Sequence, residues 1–220
     1  MFSRTEALIG RDNLEKLNSK SVIIFGVGGV GSYSAEAIAR AGVGKITLVD
    51  SDTVALSNIN RQIIALHSTV GRNKTTVMRE RILDINPFCK VVEMPIFYDE
   101  NTEIDFSEYD FIVDCIDSVD SKIHLIKEAN RFNVQIISSM GTGNKLCPEK
   151  LEIADISKTS YCPLARAVRT KLKKEGIYSL PCVYSREEPK KSAGVPASIS
   201  FVPSVAGLLI ASFVIRELIK

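Results

Sequence analysis

Apolar residues in this chain gather into short β-branched runs, separated by longer stretches with helical spacing. The run Ser21-Val22-Ile23-Ile24-Phe25-Gly26 predicts a strand. A glycine turn and a helix-compatible, alanine-rich stretch from Val30 to Ala41 follow it. Lys45 to Asp50 predicts a second strand that ends on an acid. After a polar loop, Gly71 to Ile85 suits a helix, and Asn86-Pro87 stops it because the residue before proline is driven out of the helical region. Lys90 to Met94, Phe111 to Ile116 and Val134 to Ser138 read as further strands, with a helix over Ser121 to Phe132. Strands alternating with helices imply one α/β domain, a mostly parallel sheet with helices on both faces.

The two ends of the chain depart from this rhythm. Residues 1–20 have a helical pattern and precede the first strand, so they are expected to pack outside the sheet or against a partner. Beyond Met140 the pattern is less regular: a basic helix after Pro163, a strand near Pro181 to Ser185, and an apolar closing helix. The single domain 1–220 thus divides into an N-terminal helical extension (1–20), a core (21–140) and a short C-terminal elaboration on the substrate side (141–220).

Ser192 to Ile215 carries no charged residue, which is long enough to span a bilayer. Gly194, Pro196, Pro203, Gly207 and five serines interrupt it, and its densest part, Val205 to Ile215, has the length of a buried core helix, so no stable membrane insertion is expected. Charged residues occupy the N-terminus where a signal peptide would be apolar, which points to a cytoplasmic protein. The five cysteines form no C-x-x-C pair, which argues for a reducing compartment and against a zinc site. A net charge of +2 announces no nucleic-acid partner, so any basic surface must be local.

Gly26-Val27-Gly28-Gly29-Val30-Gly31 fits G-x-G-x-x-G between a strand and a helix. Glycines permit the tight turn and let the backbone approach a phosphate at the positive helix N-terminus. Asp50 ends the next strand, where an acid accepts hydrogen bonds from ribose hydroxyls. The fold is therefore expected to be Rossmann-like, with 21–140 as its nucleotide-binding part. A dinucleotide oxidoreductase fits equally well to this point. The next residues favour ATP: Asp52, then Ser57-Asn58-Ile59-Asn60-Arg61-Gln62, then Lys74 at a helix start. A triphosphate needs guanidinium and ammonium groups where negative charge develops, and Arg61 and Lys74 are placed to supply them. Asp114-Cys115-Ile116-Asp117 ends a strand; a carboxylate there can hold magnesium against phosphates or merely cap the following helix. Asp117 is the better candidate for the metal.

Together these residues resemble the ubiquitin-activating-enzyme-like superfamily, which includes the adenylyltransferases of molybdopterin and thiazole biosynthesis. The motif is the glycine loop Gly26 to Gly31 (with Gly28 and Gly29 inside it), Asp50, Asp52, Ser57, Asn58, Asn60, Arg61, Gln62, Lys74 and Asp117. The resemblance implies that Gly28, Asp50 and Asn58 hold ATP, that Arg61 and Lys74 bind phosphate, and that Asp117 serves Mg2+ and the chemistry. It also implies an arginine reaching into a neighbouring subunit's site. Arg4 matches that position, which makes a homodimer the expectation. Asp155 to Thr159, Cys162 to Ala165, and Val183-Tyr184-Ser185 with Glu187 and Pro189 are similar to the branch that dehydrates threonylcarbamoyladenosine in tRNA. That branch cyclises a side chain beside the anticodon after ATP activates its carboxylate.

Lys158 to Lys174 holds six cations and no acid. On a helix from Pro163, Leu164, Val168 and Leu172 face inward, while Arg166, Arg169 and Lys173 line another face suited to a phosphate backbone or simply to solvent. Three other readings remain at this point. One is adenylation of a small sulfur-carrier protein, with a sulfur-transfer partner and Cys162 or Cys182 as relay. The others are an NAD-binding oxidoreductase and a catalytically idle nucleotide-binding scaffold.

Overall fold

The computed structural model describes residues 1–191 and 196–220. Five strands, β1 (Ser21–Phe25), β2 (Lys45–Val49), β3 (Lys90–Met94), β4 (Phe111–Asp114) and β5 (Gln135–Ser139), run parallel. Two more complete a seven-stranded sheet: β7 (Pro181–Ser185) pairs parallel with β5, and β6 (Leu151–Asp155) pairs antiparallel with β7. The order across the sheet is β3-β2-β1-β4-β5-β7-β6. From β1 the chain moves to one side through β2 and β3, then returns to the other side at β4. The crevice at the C-terminal ends of β1 and β4 is therefore the switch point where open α/β sheets bind ligands.

β1 shows why the sheet needs cover on both faces. All five of its residues are buried. Val22 and Ile24 enter one apolar cluster, with Ala35, Ile38, Met78 and Val214, while Ile23 and Phe25 enter another, with Ile126, Val168 and Leu172. Helices α3 (Gly31–Ala41), α4 (Lys74–Ile85) and α7 (Phe201–Leu218) supply the first cluster; α5 (Val119–Arg131) and α6 (Pro163–Lys174) supply the second.

The N-terminal segment is helical as expected, but Gly10, at a φ of 84°, splits it into α1 (Ser3–Ile9) and α2 (Arg11–Asn18). β4 stops at Asp114, two residues short of the expected end at Ile116. Helix α4 starts at Lys74 rather than Gly71, because the intervening residues pair back on the loop after β2: Val54 N–H donates to Arg72 at 2.9 Å and Lys74 N–H to Asp52 at 3.0 Å. β6 is a strand where sequence reading left irregular chain. β6 and β7 extend the parallel sheet of the core with strands from 141–220.

The charge-free run begins at 192–195, including Gly194, which lie outside the described residues. Its remainder covers most of α7, which runs on to Leu218 and is the one helix among the described residues long and apolar enough to cross a membrane. Val202, Ala206, Ile210 and Val214 of α7 are fully buried against the sheet and α3. A Cβ on Gly207 would sit 2.4 Å from the Val30 carbonyl, so glycine is what allows this close approach. Within this fold α7 is a core helix.

Candidate active site

The turn from β1 into α3 forms the floor of the site. Gly26 has a φ of 84°, and a Cβ there would lie 2.7 Å from the Cys115 carbonyl. A Cβ on Gly31 would lie 1.8 Å from the Gly26 carbonyl. Both positions therefore require glycine, and Gly31 is needed at least for the turn itself. Asp50, just past β2, accepts the Val27 N–H at 2.6 Å through one oxygen and the Asp52 N–H at 2.8 Å through the other. It fixes the glycine loop, a role sequence reading did not assign to it.

Above this floor opens a cavity of about 630 Å³. Gly26, Gly28, Gly29, Asp50, Asp52, Asn58, Arg61, Gln62, Lys74 and Asp117 all line it. Residues from three separate connections, β1–α3, β2–α4 and β4–α5, selected by motif alone, thus converge on one concavity. Ser57 does not line it; the Ser57 carbonyl instead accepts from Arg61 Nη1 at 2.8 Å. Arg4 is exposed on α1 and also lies away from this chain's cavity.

Lys74 is buried at the first position of α4, with Nζ 2.6 Å from Asp52 Oδ2 and 3.9 Å from Asp50 Oδ1. Arg61 follows the short 3-10 turn Leu56–Asn58, and Asn60 Oδ1 orients it at 3.0 Å. Its Nε and Nη2 have no protein partner among the described residues. The Asn58 side chain accepts the Ala55 N–H at 3.0 Å and so shapes this loop. Gln62 is buried, and its Oε1 has no hydrogen-bond partner among the described residues.

The two aspartates after β4 separate cleanly. Asp114 is fully buried and bonded to Lys122 Nζ at 2.7 Å and Ser138 Oγ at 2.6 Å, which makes it structural. Asp117 is exposed, lines the cavity and makes no hydrogen bond among the described residues. Ser118, not Asp117, caps α5. The charged lining comprises two cations, Arg61 and Lys74, against three carboxylates, Asp50, Asp52 and Asp117. A polyphosphate entering it would need additional positive charge.

Sequence reading missed the far wall, formed by Ile96, Phe97 and Tyr98 on one side and Ser139 to Gly143 with Pro196 to Ser198 on the other. Asn60 Nδ2 reaches across to the Ser198 carbonyl at 3.0 Å. These residues carry no chemical motif; only the end of β5 and the adjoining glycines hinted at a ligand wall.

On α6, Val168 and Leu172 are fully buried and Leu164 is half-buried, so the expected inward stripe forms. Arg166 and Lys173 are exposed. Arg169 differs from them: its Nη1 donates to Thr159 Oγ1 at 2.6 Å and to the Thr159 carbonyl at 3.1 Å, tying α6 to the loop before it. Cys162 and Cys182 are buried, and burial pushes the Cys182 thiol up to about 12, which makes it unreactive.

The ThiF family model matches residues 2–220. A tRNA threonylcarbamoyladenosine dehydratase of Bacillus subtilis is 45% identical over 100% of this chain and 94% of its own length. The Escherichia coli protein of that name is 37% identical over 84% of this chain and 73% of its own length. Crystal structures of the E. coli dehydratase in complex with AMP and with ATP superpose with a TM-score of 0.91, at 32% identity, covering 99% of this chain and 93% of theirs.

Proposed function

The chain belongs to the ThiF family, and on that footing we propose that it is an ATP-dependent dehydratase of threonylcarbamoyladenosine in tRNA. The observation that carries this reading is the convergence of the glycine loop, Arg61, Lys74 and Asp117 on one cavity in a fold shared with an ATP-bound dehydratase. The alternatives of sulfur-carrier adenylation and NAD chemistry are not favoured.

In this reading the threonyl carboxylate attacks the α-phosphorus of ATP, forming a C–O–P linkage and releasing pyrophosphate. A nucleophile within the modification itself then attacks the activated carbonyl carbon. The ring closes, AMP leaves with the former carboxylate oxygen, and the nucleoside has lost one water. The AMP complex of the relative supports attack at the α-phosphorus. Gly28 and Gly29 bring backbone close to the phosphates at the N-terminus of α3. Arg61 and Lys74 stabilise charge that develops as the phosphorus is attacked. Because the closing nucleophile belongs to the substrate, no enzyme cysteine is needed.

The excess of carboxylates over cations in the lining favours a divalent ion with the nucleotide. Among the described residues no three His, Cys, Asp or Glu side chains are grouped closely enough to hold a metal ion by themselves. Mg2+ would therefore rest on Asp117, with phosphate oxygens and water completing its shell, and would neutralise phosphate charge. Arg4 completes the site of a second subunit in a cytoplasmic homodimer, and the exposed cations of α6 dock the tRNA backbone. The test is stoichiometric: AMP should appear only with tRNA that carries threonylcarbamoyladenosine, one per nucleoside converted. Release of ADP, or AMP formation with unmodified tRNA, would refute this chemistry.

A further inference from the structure

A second, smaller cavity of about 290 Å³ opens beside the first. Gly141, Gly143 and Pro196 line both, so these residues form the seam between them. Hydrogen bonds cross-link the seam. Asn144, at a φ of 60°, exchanges two hydrogen bonds with Ala197, each at 2.7 Å. A Cβ on Gly143 would lie 3.2 Å from Pro196.

Lys145 lines the second cavity and is only 3% exposed. Its Nζ donates to the Gly141 carbonyl at 2.6 Å, which puts the ammonium beside a residue shared by both cavities. No carboxylate pairs with it among the described residues. Glu187, nearby in the fold, directs its oxygens to the Leu146 and Cys147 N–H groups at 2.8 to 3.0 Å. An ammonium has three donors and burial demands a counter-charge, yet the described residues supply it with one neutral acceptor. Burial accordingly draws its pKa below the ordinary lysine value. An anion seated there would reverse that.

We infer that this cavity is the acceptor subsite, in which the Lys145 ammonium binds the carboxylate of the modified tRNA nucleoside and presents it to the nucleotide. This inference rests on the dehydratase reading. Three features support a carboxylate rather than a nucleotide phosphate. The cavity is small, it lies beyond the seam from the glycine turn, and the reaction needs a carboxylate next to the bound ATP. Lys145 is a binding residue here and takes no part in bond making. The remaining source of an anion is a backbone phosphate of the tRNA, and substrates differing only in the threonylcarbamoyl group separate the two.

The test compares binding of threonylcarbamoyl-bearing tRNA with unmodified tRNA, for the wild type, Lys145→Met and Lys145→Gln, without ATP. Gln keeps a donor for the Gly141 carbonyl but carries no charge. The wild type should prefer the modified tRNA by about tenfold or more, the scale of one charge-assisted hydrogen bond. Both variants should lose that preference, bind unmodified tRNA as before, and keep their thermal shift with ATP. Their KM for modified tRNA should rise by a similar factor. Equal loss of affinity for both tRNAs would assign Lys145 to a backbone phosphate and overturn the proposal. So would wild-type discrimination in Lys145→Gln, or a failure of both variants to fold. A wild type that binds ATP but leaves modified tRNA unconverted would instead bring down the dehydratase reading beneath it.

Discussion

Asp50 and Val27 are joined by a 2.6 Å hydrogen bond that runs from the glycine loop to the carboxylate at the end of β2. Its side chain is 9% exposed, and it serves two backbone donors at once. Asp50→Ala would leave both donors without their acceptor. We expect a loss of about 1–3 kcal/mol in urea unfolding and a weakening of ATP binding beyond tenfold by calorimetry. Asp50→Asn keeps one acceptor oxygen and should fall between. Wild-type affinity in Asp50→Ala would show that the loop holds its shape without this bond.

Asp117 and Ser118 are neighbours with different tasks. Asp117→Ala should leave stability unchanged and cut turnover at least a hundredfold, the scale of one removed electrostatic group at a transferring phosphate. Ser118→Ala should instead lower stability by about 1 kcal/mol with turnover largely kept. Chelation of Mg2+ should abolish ATP turnover in the wild type and change little in Asp117→Ala. Urea unfolding checks the two stabilities, and titration of turnover against Mg2+ checks the rest. Retained Mg2+ dependence with normal affinity in Asp117→Ala would remove the residue from the metal site.

The sheet and the nucleotide loops were legible because their signals are local. Strand, glycine turn and helix follow one another within 21–41, and the cations sit at motif spacing from them. What escaped depends on distant partners. Leu151–Asp155 is short and half polar, and it becomes a strand only because β7 runs antiparallel beside it. Asp114 was already the weaker metal candidate, but its actual task, receiving Lys122 and Ser138 on one buried oxygen, depends on partners that the local sequence does not reveal. Arg169 looked equivalent to Arg166 on a helical wheel, yet Thr159 occupies it. Lys145 gave no signal at all, since a lone lysine in a loop reads as solvated until its burial is known.

Arg4 provides a test of assembly. If it acts in a neighbouring subunit, Arg4→Ala and Asp117→Ala proteins should each be inactive alone. Mixed after subunit exchange, they should regain up to about a quarter of wild-type turnover, since half the dimers are mixed and each carries one intact site. Absence of rescue despite exchange, followed by mass spectrometry of intact dimers, would place Arg4 outside catalysis in trans.

On α6 the exposed and the engaged cations should behave differently. Arg166→Ala and Lys173→Ala should weaken tRNA binding and each reduce the log–log salt slope by about 0.7–0.9, as expected for a lost phosphate contact. Arg169→Ala should chiefly destabilise the 156–159 loop, seen as faster hydrogen exchange there. An unchanged salt slope in the Arg166 and Lys173 variants would leave this face as solvated surface.

The most direct measurement is mass spectrometry of nucleosides from threonylcarbamoyl-bearing tRNA incubated with the protein, ATP and Mg2+. The modified nucleoside should lose the mass of one water. The product should be absent without ATP and fall at least a hundredfold in Arg61→Ala or Lys74→Ala. An unchanged nucleoside, in a preparation that binds ATP and tRNA, would contradict the assignment.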